Sequence, residues 1–396
     1  MKYKQIILIL ILCIFFLTGC SNSAGVETRA YVVAIGIDEG ESKPIKLSLQ
    51  IAILSSSDSS SGAQQDNSSI ISVECSDIDS GISLINSYIS KQIDLSHCKA
   101  IIISEKLASV GISKYIYTLV NNVEIRPGCN VVISKCLASD FLDNFKPVLE
   151  AIQSNYYESI LNSSEYTGYI DDLHLSNFYS KFLSTASEAI AILGGISSGE
   201  PIPADSAYIA GQTSIEGKNK IENFGTAVFK GDKLVGELNN IETLCHLIVT
   251  NRLENATITI PNPLDHTSNV SIYIHLNKNT ENHVELINNY PYIKTRAYIT
   301  GNVLSLTSSL DLTDAETLNM LNTSINTYLE QNISSYLYKT SKEFKSDIAG
   351  FGKYMLPKYL TWQDWIDSDW SNNYENSFFD ISIETNIQSG YLFNKI

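Results

Sequence analysis

Positive charge is scarce in this chain: 27 Lys and Arg stand against 43 Asp and Glu, a formal net charge of −16. A nucleic-acid-binding domain needs a basic face, so that class is excluded. Adhesion to anionic lipid through charge is excluded with it. Catalytic signatures are missing as well. The sequence has no Gly-x-Ser-x-Gly elbow, no Walker loop, no His-Glu-x-x-His helix and no dinucleotide fingerprint. No Cys-x-x-Cys pair occurs among the seven cysteines. Cys13 and Cys20 belong to the N-terminal segment, which leaves Cys75, Cys98, Cys129, Cys136 and Cys245. That is an odd number, where an exported disulfide framework usually shows an even one. Most of these five lie in apolar surroundings and read as small buried hydrophobes, with one disulfide left open. An uncharged apolar run at residues 6–17 is too short to span a bilayer, which takes roughly 20 apolar residues.

That run has a different meaning in its context. Lys2 and Lys4 precede it and Leu17-Thr18-Gly19-Cys20 follows it. A positive start, an apolar stretch and small residues at the end make a secretory signal. The cysteine after Leu-Thr-Gly resembles a bacterial lipobox, in which the thiol is alkylated with a diacylglyceryl group and the chain is cut before it. Two acyl chains hold a protein on a membrane where one is marginal. We therefore expect a signal peptide at residues 1–19, lipid on Cys20, a short spacer at 20–29, and a body tethered to the outer face of a membrane. The remaining chain is long enough for two or three domains with a real core, and a hydrophobic content of 44% makes it globular.

Along the body, strand and helix signals alternate. Strands are predicted at 30–37, 45–54 and 70–75, with a low-complexity Ser/Gln/Asp loop at 55–69. Ser76-Asp77 caps a helix whose Ile78, Ile82, Ile85 and Ile89 recur at helical spacing. Residues 99–104 read as a central strand, 105–122 as helix broken at Gly111, and 129–135 as the next strand. Helices follow at 138–145, 148–162 and 172–183. Gly, Ser and Pro at 193–203 mark a boundary. Beyond it, strands are expected at 207–213, in a hairpin at 225–238, and at 256–261, with a helix at 240–251 between the last two. Strands at 271–276, 284–288 and 294–301 precede a long helix at 315–344, a broken helical segment at 353–367 and a final strand at 377–392. The expected fold class is α+β, with mixed or antiparallel sheets packed by helices. The expected domains are 30–198, 199–264 and 265–396.

Several stretches together resemble the Ger(x)C lipoproteins, the C subunits of GerA-type spore germinant receptors. They are the lipobox, Val33-Ala34-Ile35-Gly36-Ile37-Asp38, and Lys99-Ala100-Ile101-Ile102-Ile103-Ser104-Glu105 with Gly111 following. Further anchors are Val123-Glu124-Ile125-Arg126-Pro127, the hairpin from Gly225 to Gly236, and Ile241-Glu242-Thr243. Asp347-Ile348-Ala349-Gly350-Phe351-Gly352 with Trp362, Trp365 and Trp370 completes the set. Each is weak alone; their order makes the match specific. Two departures stand out: Glu27-Thr28-Arg29 replaces a Trp-Asp-Arg-Glu-like segment, and Asn121-Asn122 replaces Arg-Asp. The resemblance implies a lipidated mixed α/β protein on the outer face of the inner spore membrane. It also implies work beside membrane-spanning A and B subunits and no enzymatic activity, so neither cofactor nor metal is expected.

Other constellations compete with this reading. Asp171-Asp172-Leu173-His174 could seed a metal site, but it also precedes a helical run, where Asp caps the helix. His97-Cys98 is not a nucleophile pair, because neighbours on a strand point to opposite faces. Glu124 and Arg126 flank Ile125 and would share a face in extended chain, either as an internal ion pair or as a paired contact for a partner. Trp362 and Trp365 share a helix face, with at least one expected in the core. The rival function is a solute-binding lipoprotein feeding a transporter, although the three blocks are too dissimilar for its two matching lobes. An exported hydrolase comes last, for want of motifs.

Overall fold

The computed structural model of the chain describes residues 26–53, 68–146, 153–161, 163–200, 207–213, 217–306 and 312–388, together with residues 3, 5, 150 and 215. The expected signal, Cys20 and nearly all of the Ser-rich loop lie outside the described residues. Among those described, no helix is long and apolar enough to cross a membrane.

Two sheets organise the chain. The first contains β1 (Arg29–Glu39), β2 (Ile45–Ala52), β3 (Ser68–Cys75), β4 (Gln92–Asp94), β5 (Ala100–Ser104), β6 (Asn130–Ser134), β7 (Ile190–Ile196), β8 (Ile221–Lys230) and β9 (Lys233–Leu238). Its order is β3-β2-β1-β5-β6-β7-β8-β9, with β4 pairing alongside β1. The central strands β1, β5, β6 and β7 run parallel, and antiparallel hairpins flank them on both sides. Every residue of β5 and β6 is buried, as expected of parallel strands covered on both faces. The second sheet is β10 (Ala256–Pro261), β11 (Asn269–Ile287), β12 (Tyr290–Leu306) and β13 (Phe378–Gln388), in that order. Its last pair, β12 and β13, is parallel. The molecule is therefore α+β with mixed sheets.

Helices α1 (Ile78–Tyr88), α2 (Glu105–Val110), α3 (Ser113–Asn121), α4 (Ala138–Asn144), α5 (Gln153–Leu161), α6 (Ser164–Thr167) and α7 (Leu175–Phe182) belong to the first half. The second half has α8 (Asn240–Val249), α9 (Ala315–Tyr338), α10 (Gly352–Met355), α11 (Trp362–Asp367) and α12 (Trp370–Asn373). Their starts are legible in sequence. Asp77 accepts from Ser80 N at 2.8 Å while Ser80 Oγ accepts the Asp77 N–H, closing a capping box on α1. Asn239 and Glu242 do the same for α8. Gly111 separates α2 from α3 with φ +134°, a conformation open chiefly to glycine. Helix α9 buries Leu321, Ile325, Leu329, Ile333 and Leu337 against β13 and α8, then widens into a π-turn at Lys339–Glu343.

Alternation along the parallel strands splits the core in two. Ile101, Ile103, Val131 and Ile133 face a cluster under α1 to α3 and α7. Ile102 and Val132 face the other, which continues through α8 and α9 to Ile272, Ile293 and Ile383 of the second sheet. One apolar body thus joins both halves.

Several elements differ from expectation. Residues 193–196 of the expected boundary belong to β7, which pairs antiparallel with β8, and residues 201–206 lie outside the described residues. Gly194 and Gly195 act as small strand residues, Gly194 facing Phe141 and Val132. The expected middle domain, 199–264, is accordingly shared between the sheets: β8 and β9 extend the first, and β10 opens the second. Residues 207–213 turn instead of forming a strand, because Glu222 captures Gly211 N at 2.7 Å and Gly211 takes φ +85°. Finally, β11 runs unbroken through 277–283, where polar residues had suggested a gap. Main-chain pairing with β12 continues there across bulges near Lys278, which an apolar-pattern reading does not detect.

Candidate functional site

The sequence-predicted contact residues lie at the N-terminal end of the first sheet. Residues 123–125 form a turn, closed by Ile125 N donating to Asn122 O at 3.2 Å. Glu124 and Arg126 therefore do not share a face as they would in extended chain, and among the described residues they make no ion pair with each other. Glu124 instead accepts Leu95 N–H at 2.9 Å and so ties the loop to the end of β4. Arg126 is exposed. Beside Glu124, α1, β4 and the end of α3 border an open cleft of about 710 Å³, with Ile82, Ile93 and Tyr117 on its apolar side. Val123 stands at its edge, 99% exposed.

The Asp171–His174 cluster folds into a buried junction. Asp171 pairs with Arg252 at 2.7 Å, and Arg252 also donates to Asp172 O at 2.6 Å. Burial pushes the Asp171 carboxyl up to about 6, partly offset by Arg252 and Lys181. His246 is fully buried, and its Nδ1 lies 2.7 Å from Tyr336 Oη. Burial, then Lys181 and Arg252, hold its imidazole well below the ordinary range, so it is neutral. Its Nε2 lies 3.8 Å from Asp171, which for a neutral ring is a contact and not an ion pair. Burial also lowers Lys181, to about 8. Asp172 and His174 form a separate pair at 3.0 Å. That hydrogen bond, more than charge, lowers the acid and raises the base. Among the described residues, no group of three His, Cys, Asp or Glu side chains is arranged to hold a metal. His97 and Cys98 part company: His97 is exposed against Tyr31, and Cys98 is buried 3.6 Å from Cys129 Sγ.

A second junction gathers the C-terminal motif. Asp347 is buried, and its carboxylate accepts Gly350 N, Phe351 N and Gly352 N at 2.8, 3.0 and 2.8 Å, with Trp370 Nε1–H at 2.8 Å. Gly350 takes φ +76°, which curls the backbone so that three successive amides point at one anion. A Cβ on Gly352 would meet Trp370 Nε1 at 2.6 Å. Burial raises the Asp347 carboxyl, and these donors oppose the rise. Trp365 donates to Thr185 Oγ1 at 2.8 Å and lies in the core with Trp370, whereas Trp362 is 61% exposed. Both tryptophan rings in the core face a cavity of about 240 Å³. Sequence spacing pairs Trp362 with Trp365. The partner of Trp365 is in fact Trp370, with ring centroids 6.3 Å apart.

The remaining motif residues also serve the interior. Asp38 accepts Ala138 N and Ser139 N at 2.6 and 3.0 Å, anchoring the start of α4. Glu242 completes the α8 cap and also receives Lys339 Nζ at 2.8 Å. Gly111 lies against the hairpin turn, with Ile112 N donating to Asp232 O at 3.0 Å. Gly236 leaves room for the Phe344 ring, which a Cβ there would enter. Sequence reasoning missed Glu188, Arg252 and His246. Only the position of His246 on an apolar helix face hinted at the last of these.

Comparison with known proteins agrees with these motifs. Residues 22–195 match the family described as spore germination protein N-terminal domain, and residues 224–390 match spore germination B3/GerAC-like, C-terminal. The chain is 22% identical to spore germination protein KC of Bacillus subtilis (strain 168), over 96% of this chain and 94% of that protein. It is likewise 22% identical to the putative spore germination protein YfkR of the same organism, over 98% of this chain and 97% of the relative. The crystal structure of the GerBC protein shares the fold, with a TM-score of 0.55 at 15% identity over 89% of this chain and 96% of that one. Many of the residues that mark the resemblance cap helices, curl the backbone or join the two sheets, and the chain belongs to the Ger(x)C family of spore germination proteins, the C-subunit type of germinant receptors.

Proposed function

We propose that this chain is a lipid-anchored, non-catalytic subunit of a nutrient germinant receptor, held on the outer face of the inner spore membrane and assembled there with membrane-spanning A and B subunits. The observation that carries the reading is family membership through both halves of the chain. Lipid on Cys20 is the attachment, and tethering raises the effective concentration of the partners. Arg29 opens β1 nine residues after Cys20, a reach of at most about 30 Å. Arg29 pairs with Gln92 of β4, and Gln92 lines the cleft beside Glu124. On this reading the cleft is close to the membrane side, and the loop carrying Val123, Glu124 and Arg126 touches a partner subunit.

The test is Cys20→Ala in the sporulating organism. The variant should leave the membrane fraction, and nutrient-triggered germination should fall. Normal germination with the protein unanchored would sink the tethering claim. For the contact loop, Arg126→Glu should reduce co-purification of the A and B subunits. Stability should stay within about 0.5 kcal/mol, since the side chain is exposed. Unchanged co-purification would move the contact elsewhere.

A further inference from the structure

The cavity beside the Asp347 turn has features that the packing of the two sheets does not require. The loop at 184–188, which leads into β7, forms one wall, and α11 with the start of α12 forms the other. Asp347, Glu188 and Asp369 all line it, and among the described residues no Lys, Arg or His does. Glu188 accepts Gly231 N at 2.8 Å and Ser371 Oγ at 3.3 Å, and burial raises its carboxyl. Lys181 acts on Asp347 and Lys230 on Glu188, and both lysines stand outside the lining. Ser187 lines the same space; it is 4% exposed, and its Oγ has no hydrogen-bond partner. A buried hydroxyl without a partner costs about 1–3 kcal/mol, so an unused one facing a cavity points to a ligand. The remaining walls are the indoles of Trp365 and Trp370 and the half-exposed Ile366.

We propose that this cavity binds an organic ammonium group on a short apolar stem. Glu188 accepts from the ammonium, Asp347, whose oxygens already carry four donors, adds its charge, Ser187 Oγ accepts an N–H, and the indoles with Ile366 cover the stem. An anion would meet three carboxylates. A bare metal ion would lack ligands, since the described residues form no group of three suited to one. A cation is attracted both by the acids and by the electron-rich aromatic walls, in a setting where water screens little. At about 240 Å³ the space suits a small amine or the end of one long side chain. The ammonium can therefore come from a free amine or from a lysine of a neighbouring protein.

The experiment uses the full-length chain in detergent, 15N-labelled at tryptophan. Its three indole N–H signals report Trp362, Trp365 and Trp370 separately. Propylammonium, propan-1-ol and propionate are titrated at matched ionic strength. Saturable shifts of the Trp365 and Trp370 signals with propylammonium alone are expected, in the millimolar range or tighter. Glu188→Gln should weaken binding about tenfold, equivalent to about 1.4 kcal/mol. Ile366→Lys carries its own ammonium to the mouth of the cavity and should block it. That exposed position keeps the test valid if Glu188→Gln does not fold. Nα-acetyl-lysine methylamide separates the sources: tighter binding than propylammonium assigns the site to a protein lysine, weaker binding to a free amine. Equal shifts with propan-1-ol, no saturable shift, or undiminished binding in Ile366→Lys would overturn the proposal. The readout needs neither anchor nor partner, so it stands or falls apart from the germination reading.

Discussion

At the scale of single residues, buried carboxylates carry most of the information in this protein. Asp347 receives four hydrogen bonds from three amides and an indole. An amide in its place would turn an NH2 towards donors. Asp347→Asn should therefore lower unfolding free energy by about 2–4 kcal/mol, given that bonds to charged groups contribute about 1.5–3 each; urea denaturation measures it. Asp171 makes a statement about pH. Burial raises its folded-state pKa to about 6, from about 3.9 for an ordinary aspartate, so the folded protein takes up this proton before the unfolded chain does. Its contribution is fully present below about 4 and is lost as pH rises through about 6. Relative to Asp171→Asn, the wild type should thus gain stability as pH falls from 7 to 4, by up to about 3 kcal/mol at 1.36 per unit. Parallel stability curves for the two proteins would contradict the burial assigned to Asp171.

At the scale of elements, hairpin and helix are matched through small residues. The β8–β9 hairpin presents Gly236 to Phe344, just beyond the π-turn that ends α9. Ser346 Oγ adds a bond to Phe229 O at 2.6 Å. Gly236→Ala overpacks this contact and should cost about 1–3 kcal/mol. Combining it with Phe344→Ala should cost less than the sum of the two, with a coupling of about 0.5–3 kcal/mol. Strict additivity would mean that the two do not meet. The sequence marks the hairpin and its turn plainly, because Gly231-Asp232 sits between alternating strands. It leaves no sign of what covers Gly236, since Phe344 lies more than a hundred positions away.

At the scale of the whole molecule, the two matched halves share one core. The cluster holding Val132 and Ile192 of the first sheet also holds Leu329 of α9 and Ile383 of β13. The chain should accordingly unfold in one transition, with far-ultraviolet and tryptophan signals coincident in urea. Two separated transitions would show that the halves are independent. Lys339, just past α9, ties that helix to α8 and to the first sheet, pairing with Glu242 at 2.8 Å and reaching Glu237 O of β9 at 3.0 Å. Glu242→Ala removes that pair and a helix cap together and should lower the unfolding free energy, measured in urea, by more than the roughly 1 kcal/mol of a cap alone.

The sequence by itself determined the order of most strands and helices, the capping residues of α1 and α8, the break at Gly111 and the family. All of these are written in local spacing and turn chemistry, which act over a few residues. Only the tertiary structure decided that 199–264 divides between two sheets, that β11 continues through a polar stretch, and that Glu124 holds Leu95 instead of Arg126. It alone brought Trp370 to Trp365 and left Trp362 outside. It also placed Glu188 and Asp347 around one cavity. The reason is physical: burial and charge depend on what the chain brings near from far along its length, and no short window of sequence contains that neighbour.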